Sequence, residues 1–582
     1  MQIGFIKKSS KNFWLLFKGY WQSDDKWKAR GLLSAVILLN LVSVFLMLEM
    51  TSWFNEFYTI LQNYSYHLFW QSISKFTILA LLLIFFAVYA FYLQQILQIK
   101  WRTWMTKQYL DQWLNDQTYY KLQTNNSDTD NPDQRIQEDI NLFVSLTLSL
   151  GIGLFKQFLV LVSFIAMLWQ LSGSFSIPFN NGTLVIPGFM VWATLVYSII
   201  GTFITHKIGH QLIGLNFNQQ KYEANFRFSL VRLRENSESI AFYRGETPEK
   251  DNLKTRFISV ILNFRQIIAR QKILTGITVS YAQIAIILPI LIAAPRYFAE
   301  TLSIGWLIQT LTAFGKVQDA LSYIVTSYTD IAQWSSVIRR LNTFAIHMKN
   351  ADEIRSAIQT STGNVLKTQN LTISLPKGQP ILKDLNMDLP AGENLIITGF
   401  SGCGKSTLLR TLAGIWPFAS GKITLPAQQN ILFLPQKPYL PLGTLRQTLY
   451  YPQAAPTMDT KNLVELLHLC KLDKLANQLE NTNDWSRILS LGEQQRLAFV
   501  RILLKKPTWI FLDEATSALD EDTEAYMYTL LKKELPHATI ISVGHHMTLL
   551  SHHKYRLKLN NNGSYLFSPL NAIPHMNSSP DC

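Results

Sequence analysis

Lys405 is the residue most plainly placed to handle phosphate. It stands in Gly399-Phe400-Ser401-Gly402-Cys403-Gly404-Lys405-Ser406-Thr407, which fits G-x-x-x-x-G-K-[ST] and follows the apolar run Leu395-Ile396-Ile397. Glycines after a buried strand let the backbone curl so that successive N–H groups, and the N-terminus of the next helix, point at phosphate oxygens. On this reading Gly399, Ser401, Gly402, Gly404 and Thr407 build the cradle, Lys405 reaches the β- and γ-phosphates of ATP, and the Ser406 hydroxyl sits on Mg²⁺.

Four further groups follow in order. Gln436 ends Phe433-Leu434-Pro435-Gln436, where an amide can ligate Mg²⁺ and sense a neighbouring domain. Leu489-Ser490-Leu491-Gly492-Glu493-Gln494-Gln495-Arg496 opens a helix, and Ser490 and Gly492 offer a hydroxyl and backbone N–H groups to a phosphate. Trp509-Ile510-Phe511-Leu512-Asp513-Glu514 reads as a buried strand ending in two carboxylates. Asp513 suits the Mg²⁺ shell and Glu514 the polarisation of an attacking water. His545, after Ile540-Ile541-Ser542-Val543-Gly544, is placed to contact the γ-phosphate.

The elements that carry these groups divide the chain. Its 582 residues are 48% hydrophobic and 12% aromatic, too apolar for soluble domains alone. Stretches long enough to cross a bilayer run over 31–50, 76–97, 146–171, 187–205, 276–294 and 304–324, six in all. The loops 51–74 and 172–186 lack Lys and Arg, whereas the N-terminus and residues 100–135 and 207–272 are rich in them. By the positive-inside rule both termini and the two basic segments are cytoplasmic. About ten of the fourteen net positive charges fall before residue 361, where nothing resembles a nucleic-acid module. Cys403, Cys470 and Cys582 suit a reducing cytosol and imply no disulfide framework.

Residues 1–30 interleave aromatics with lysines and read as an interfacial helix facing acidic membrane lipid. The expected domains are therefore that segment, a transmembrane domain over 31–350 with cytoplasmic helical extensions, an α/β nucleotide domain over 351–560, and a flexible tail over 561–582. The sixth stretch carries Gln309, Thr312, Lys316, Gln318, Asp319 and Ser322, which suits a helix facing a water-filled cavity.

The ordered nucleotide groups resemble the ATP-binding cassette of ABC transporters, including a D-loop at Ser517-Ala518-Leu519-Asp520. The resemblance implies a six-helix transmembrane domain of the ABC exporter-like fold joined to a cytoplasmic α/β P-loop cassette, with ATP and Mg²⁺ as ligands. It also implies that the signature helix at Ser490 completes the nucleotide site of a second copy, so that one cassette per chain makes a half-transporter that pairs with itself. The usual Gly-Gly-Gln of the signature is replaced here by Leu491-Gly492-Glu493, and Leu375-Pro376-Lys377 stands where an adenine-stacking aromatic is usual.

In the membrane half, 53–58 (WFNEFY), 101–106 (WRTWMT), 131–136 (NPDQRI), 233–238 (LRENSE) and 295–298 (PRYF) resemble the bacterial SbmA/BacA-type domain fused to a cassette. That group is similar to the peroxisomal fatty-acyl ABC transporters. The resemblance implies an inner-membrane homodimer that couples ATP hydrolysis to uptake of a large hydrophilic solute such as a peptide or cobalamin-like compound. Export of lipids, drugs or fatty-acyl compounds is the alternative within the class. An ATP-gated membrane regulator that transports nothing is the alternative outside it.

Overall fold

The computed structural model describes residues 14, 16–124, 131–172, 174–179, 182–298, 303–353, 357–376, 378–456, 460–544 and 546–570. The chain divides into two compact units, Met1–Gln112 with Thr129–Ile346, and Trp113–Asp128 with His347–Cys582.

The first unit is helical apart from one antiparallel hairpin, β1 (Ser174–Phe179) paired with β2 (Gly182–Pro187). Its long helices are α1 (Lys26–Gln62), α2 (Tyr66–Leu114), α3 (Ile140–Ser172), α4 (Phe189–Glu235), α5 (Glu246–Phe298), α6 (Ile304–Thr326) and α7 (Tyr328–Glu353), the last running across the boundary between the units. The 49 residues of α2 span roughly 74 Å at 1.5 Å per residue, more than twice a hydrocarbon core of about 30 Å, so this helix extends well beyond any bilayer it crosses. Isoleucine, leucine and phenylalanine point outward from it: Ile78, Leu81, Ile84 and Phe91 are all exposed, as lipid-facing side chains are.

Five helices, containing α1 to α5, are long and apolar enough to cross a membrane among the described residues. The sixth expected span forms as α6, but its amides, hydroxyls and charges keep it out of that set. It packs on α1, α3, α4 and α5, where Ala313 and Val317 join Val44, Phe164 and Leu168 in a common core. Gln309, Thr310 and Gln318 are buried there as well. The Asn55 amide of α1 donates to Gln309 Oε1 at 2.8 Å, which satisfies a polar group that would otherwise be costly in this setting.

At the base of α3 a single π turn, Arg135–Asp139, brings Arg135 onto Asp139 at 2.7 Å. Arg340 of α7 grips the same carboxylate with Nε at 2.9 Å and Nη2 at 2.6 Å. Asp139 is 1% exposed, so its charge is held by two guanidinium groups rather than by water.

Residues 16–21 are helical, but the aromatics expected at headgroup level turn inward: Tyr20 and Trp21 are buried, and Tyr20 stacks on Trp101 of α2 at 5.6 Å. Residues 1–13 of the expected interfacial segment lie outside the described residues.

The second unit holds the cassette. A four-stranded sheet contains β3 (Ala357–Thr362), β4 (Leu366–Ser374), β5 (Pro380–Leu389) and β7 (Ala419–Leu425) in the order β3-β7-β4-β5. The central sheet contains β6 (Leu395–Gly399), β8 (Ile431–Leu434), β9 (Trp509–Asp513), β10 (Thr539–Val543), β11 (Tyr555–Leu559) and β12 (Tyr565–Pro569), in the order β12-β11-β6-β10-β9-β8. All but the β11–β12 pair are parallel.

Alternation along these strands feeds two cores. Ile396, Ile510, Leu512 and Ile540 face Leu497 and Phe499 of α9 (Leu491–Lys505) and Met527 of α10 (Glu521–Glu534). Leu395, Ile397, Phe511 and Ile541 face Leu408 and Leu412 of α8 (Lys405–Leu412) and the four-stranded sheet. Cys403 and Cys470 are buried free thiols. The expected tail at 561–582 starts too early: Asn560 to Ser564 close a hairpin, Gly563 taking φ +81°, and β12 pairs with β11. Residues 571–582 lie outside the described residues.

Candidate nucleotide site

Parallel strands put their carboxyl ends on one edge of a sheet, where α/β folds hold ligands. Here β6 ends in the loop 399–404, β8 leads to Gln436, β9 ends in Asp513-Glu514, and β10 ends at Val543. Residues more than a hundred positions apart in sequence therefore share one edge. His545, expected just past β10, lies outside the described residues.

The loop is one that only glycine completes at its start. Gly399 has φ +149°, and a Cβ there would lie 2.5 Å from the Leu559 carbonyl oxygen and 2.7 Å from Cys403 Sγ. Gly402 and Gly404 are also left-handed, at φ +83° and +100°, and Gly404 caps α8. Lys405 is buried with its ammonium on the Gly399 and Phe400 carbonyls, at 2.8 and 3.1 Å. Thr407, on the first turn of α8, uses its carbonyl for the Thr411 hydroxyl at 2.8 Å. The side chain packed over Gly404 is the aliphatic Ile381, 3.3 Å from where a Cβ would stand.

Ser406 donates to Asp513 Oδ1 at 2.9 Å. Burial pushes the Asp513 carboxyl above its ordinary range and the Glu514 charge adds to that, while the Ser406 hydroxyl, Arg410 and Lys405 oppose it. Glu514 is left-handed at φ +50°, an unusual place for a long side chain, held by its N–H on the Val543 carbonyl at 3.2 Å. Its Oε2 accepts from Gln436 Nε2 at 2.9 Å. Ser406, Asp513 and the Gln436 amide supply a hydroxyl, a carboxylate and a carbonyl oxygen, the donor set a hard divalent cation takes. An ammonium already parked on loop carbonyls and two adjacent carboxylates, Asp513 and Glu514, fit the demands of a triphosphate with Mg²⁺.

Ser490 caps α9 in a reciprocal box: its Oγ accepts from the Glu493 N–H at 3.3 Å, and the Glu493 carboxylate accepts from the Ser490 N–H at 2.9 Å. The Ser490 O–H also donates to that carboxylate, at 2.9 Å. Burial alone would push the Glu493 carboxyl up, but these two bonds, with Arg496 and Lys474, outweigh it and hold it below its ordinary value. Gly492 rests on the D-loop of its own chain, a Cβ there lying 3.0 Å from the Ala518 carbonyl oxygen.

Two residues that the sequence pattern did not single out join these parts. Gln495, fully buried, donates to the Gln436 carbonyl at 3.1 Å and accepts from the Ala518 N–H at 3.0 Å, linking the β8 exit to the D-loop. Glu524, 2% exposed on α10, accepts from Thr516 and, at 3.2 Å, from Thr548, with His546 Nδ1 at 3.5 Å. Only the proximity of Gln495 to the signature hinted at the first; nothing in spacing marked the second.

Two family descriptions match the chain: "ABC transporter transmembrane region 2" over residues 16–298 and "ABC transporter" over residues 382–517. An uncharacterized ABC transporter ATP-binding protein of Haemophilus influenzae is 40% identical over 95% of this chain and 93% of its own length. The chain belongs to the ABC transporters. Within that family it is similar to ABC transporter D family member 2, chloroplastic, of Arabidopsis thaliana, 34% identical over 95% of this chain and 86% of the relative. The inner membrane ABC transporter ATP-binding protein YddA of Escherichia coli is 32% identical over 91% and 94%. As an ABC transporter this membrane protein couples ATP hydrolysis to transport, and one membrane domain with one cassette gives it half-transporter architecture.

Proposed function

We propose that two copies of this chain form a homodimer in a bacterial inner membrane, termini in the cytoplasm, and use ATP to carry a large hydrophilic solute inward, of the peptide or cobalamin-like class. The observation that supports a hydrophilic solute is the charge that α6 carries among the membrane helices, with Lys316 half-buried and Asp319 exposed.

At the nucleotide, Gly399, Ser401, Gly402, Gly404 and Thr407 cradle the phosphates and Lys405 leaves its loop carbonyls to meet them. Ser406, Asp513 and Gln436 hold Mg²⁺, which when bound neutralises charge on the phosphate oxygens. Glu514 orients the attacking water, and Gln436, bonded to it at 2.9 Å, fixes its carboxylate. His545 serves the γ-phosphate. The Ser490 hydroxyl is bonded to Glu493 and not to the loop 399–407 of its own chain, which supports its use, with Gly492, across the dimer.

The resemblance to the peroxisomal fatty-acyl ABC transporters favours a second reading, export of lipids, drugs or fatty-acyl compounds. Reconstitution decides between them. With cassettes facing outward, proteoliposomes given ATP should expel a preloaded hydrophilic peptide or cobalamin if the cellular direction is inward as proposed, toward the cassette side, and accumulate it from the bath if the direction is away from the cassette. Expulsion with stimulated ATPase is the expected result. Stimulation and movement only with acyl compounds would replace the proposal by the second reading, and ATP turnover without movement of any solute would leave a regulator.

A further inference from the structure

A cavity of about 580 Å³, within the range of small-molecule sites, opens among the N-terminal helical turn, α1, α2, α3, α6 and α7. Phe17, Trp21, Leu33, Ile37, Leu154 and Phe155 give it an almost wholly apolar wall. Charge at one end says what it is shaped to hold.

Arg30, Leu33 and Ile37 follow at three and seven residues, one stripe of α1. Leu33 and Ile37 line the cavity, and the Arg30 guanidinium donates to the carbonyl of Trp21, another wall residue, at 3.1 Å. The mouth is thus cationic, and the apolar body runs along α1 away from it. Lys18, Lys26 and Lys28 add positive charge around that end, against Asp24 and Asp25.

We infer that this cavity is a binding site for an acidic phospholipid, with one acyl chain in the apolar body and the phosphate at Arg30. A basic rim over an apolar slot matches an anionic amphiphile, and the positive-inside pattern puts that rim at the leaflet where acidic lipid attracts basic residues. Neither the nucleotide site nor the direction of transport enters this assignment.

The site can be filled without strain. Gly151 of α3 lines the cavity, and a Cβ there would meet no heavy atom within 4 Å, so Gly151→Leu puts a side chain into the lipid's place in a helix that gains a better helix former. The full-length chain would be equilibrated in phosphatidylcholine nanodiscs with and without phosphatidylglycerol, extracted, and its retained lipid weighed by native mass spectrometry. The wild type should retain phosphatidylglycerol in preference to phosphatidylcholine. Gly151→Leu should lower that retention at least about tenfold, the scale of displacing a few buried methylenes. Arg30→Gln should abolish the preference between the two headgroups while leaving the apolar seat. Retention unchanged in Gly151→Leu, no retained lipid in the wild type, or a headgroup preference that survives Arg30→Gln would each overturn the assignment. ATPase activity in both variants reports that they are folded.

Discussion

On the proposed assignment Glu514 and Lys405 divide the chemistry between them, and each predicts a different defect. Glu514 sits left-handed at the end of β9 with its carboxylate fixed by Gln436, an arrangement that orients a base and contributes little to holding nucleotide. Glu514→Gln is expected to bind ATP normally and to hydrolyse it at least about a hundredfold more slowly, the usual scale for a positioned acid–base group. Single-turnover hydrolysis beside equilibrium nucleotide binding measures both; near-normal turnover would remove Glu514 from its role. Lys405→Ala should show the opposite pattern, weak binding first, because it removes the one ammonium buried in the loop. These residues were legible in the sequence because each is a short local pattern: glycines and a lysine at fixed spacing, or two carboxylates ending an apolar run. Gln495 and Glu524 were not. Their partners lie up to 59 residues away for the Gln495–Gln436 bond, and only the parallel sheet brings those parts together.

At the scale of elements, two buried groups set testable limits. Asp139 joins the base of α3 to α7 through Arg135 and Arg340 and is sealed from water. Asp139→Ala leaves two guanidinium groups without their shared anion, and a loss of about 3–5 kcal/mol is expected. Thermal unfolding of the detergent-solubilised chain should show it, and an unchanged transition would mean that the clamp holds nothing.

His553 precedes β11, and its ring lies between the Leu549 carbonyl at 2.6 Å and Ser542 Oγ at 3.0 Å. Burial, with His552 nearby, lowers its pKa from 6.5 to about 4. Above pH 6.5 the ring is neutral in folded and unfolded chain alike. As pH falls from there the unfolded chain takes the proton first, so this group's contribution to stability is progressively lost down to about pH 4, by about 3 kcal/mol in all. Stability measured across that window should fall with acid in the wild type and less steeply in His553→Gln; equal slopes would show that another group titrates.

The elements were legible where periodicity was strong, as in the spans and the strand before the phosphate loop. They were misread where one composition serves two ends. Asn560-Asn561-Asn562-Gly563 has the makeup of a loose tail and of a hairpin turn alike, and only the pairing of Tyr565–Pro569 with β11 distinguishes them. Polar residues in α6 likewise dilute a span that packing still holds inside the bundle.

For the whole molecule, the pairing proposal makes a quantitative demand. A heterodimer of one Ser490→Arg chain and one Lys405→Ala chain carries both lesions in the same composite site and leaves the other intact. Mixed proteoliposomes should therefore recover ATPase activity that neither variant shows alone, up to one working site per mixed dimer. No recovery despite demonstrated mixing would refute sharing of sites between copies.

The placement of the thiols has a practical consequence. Every cysteine lies in the second unit, and Cys403 and Cys470 are buried there, the latter with its pKa pushed up to about 12 by burial. The membrane half is thus a blank field for sulfhydryl probes once Cys582 is replaced. A reporter introduced at exposed Asp319 or half-buried Lys316 should react with a water-soluble maleimide, and one at Gln309, packed against Asn55, should stay silent. A nucleotide-dependent change in that contrast would trace the helices that move during turnover, while no labelling at any of the three positions would show that α6 does not border a wetted path.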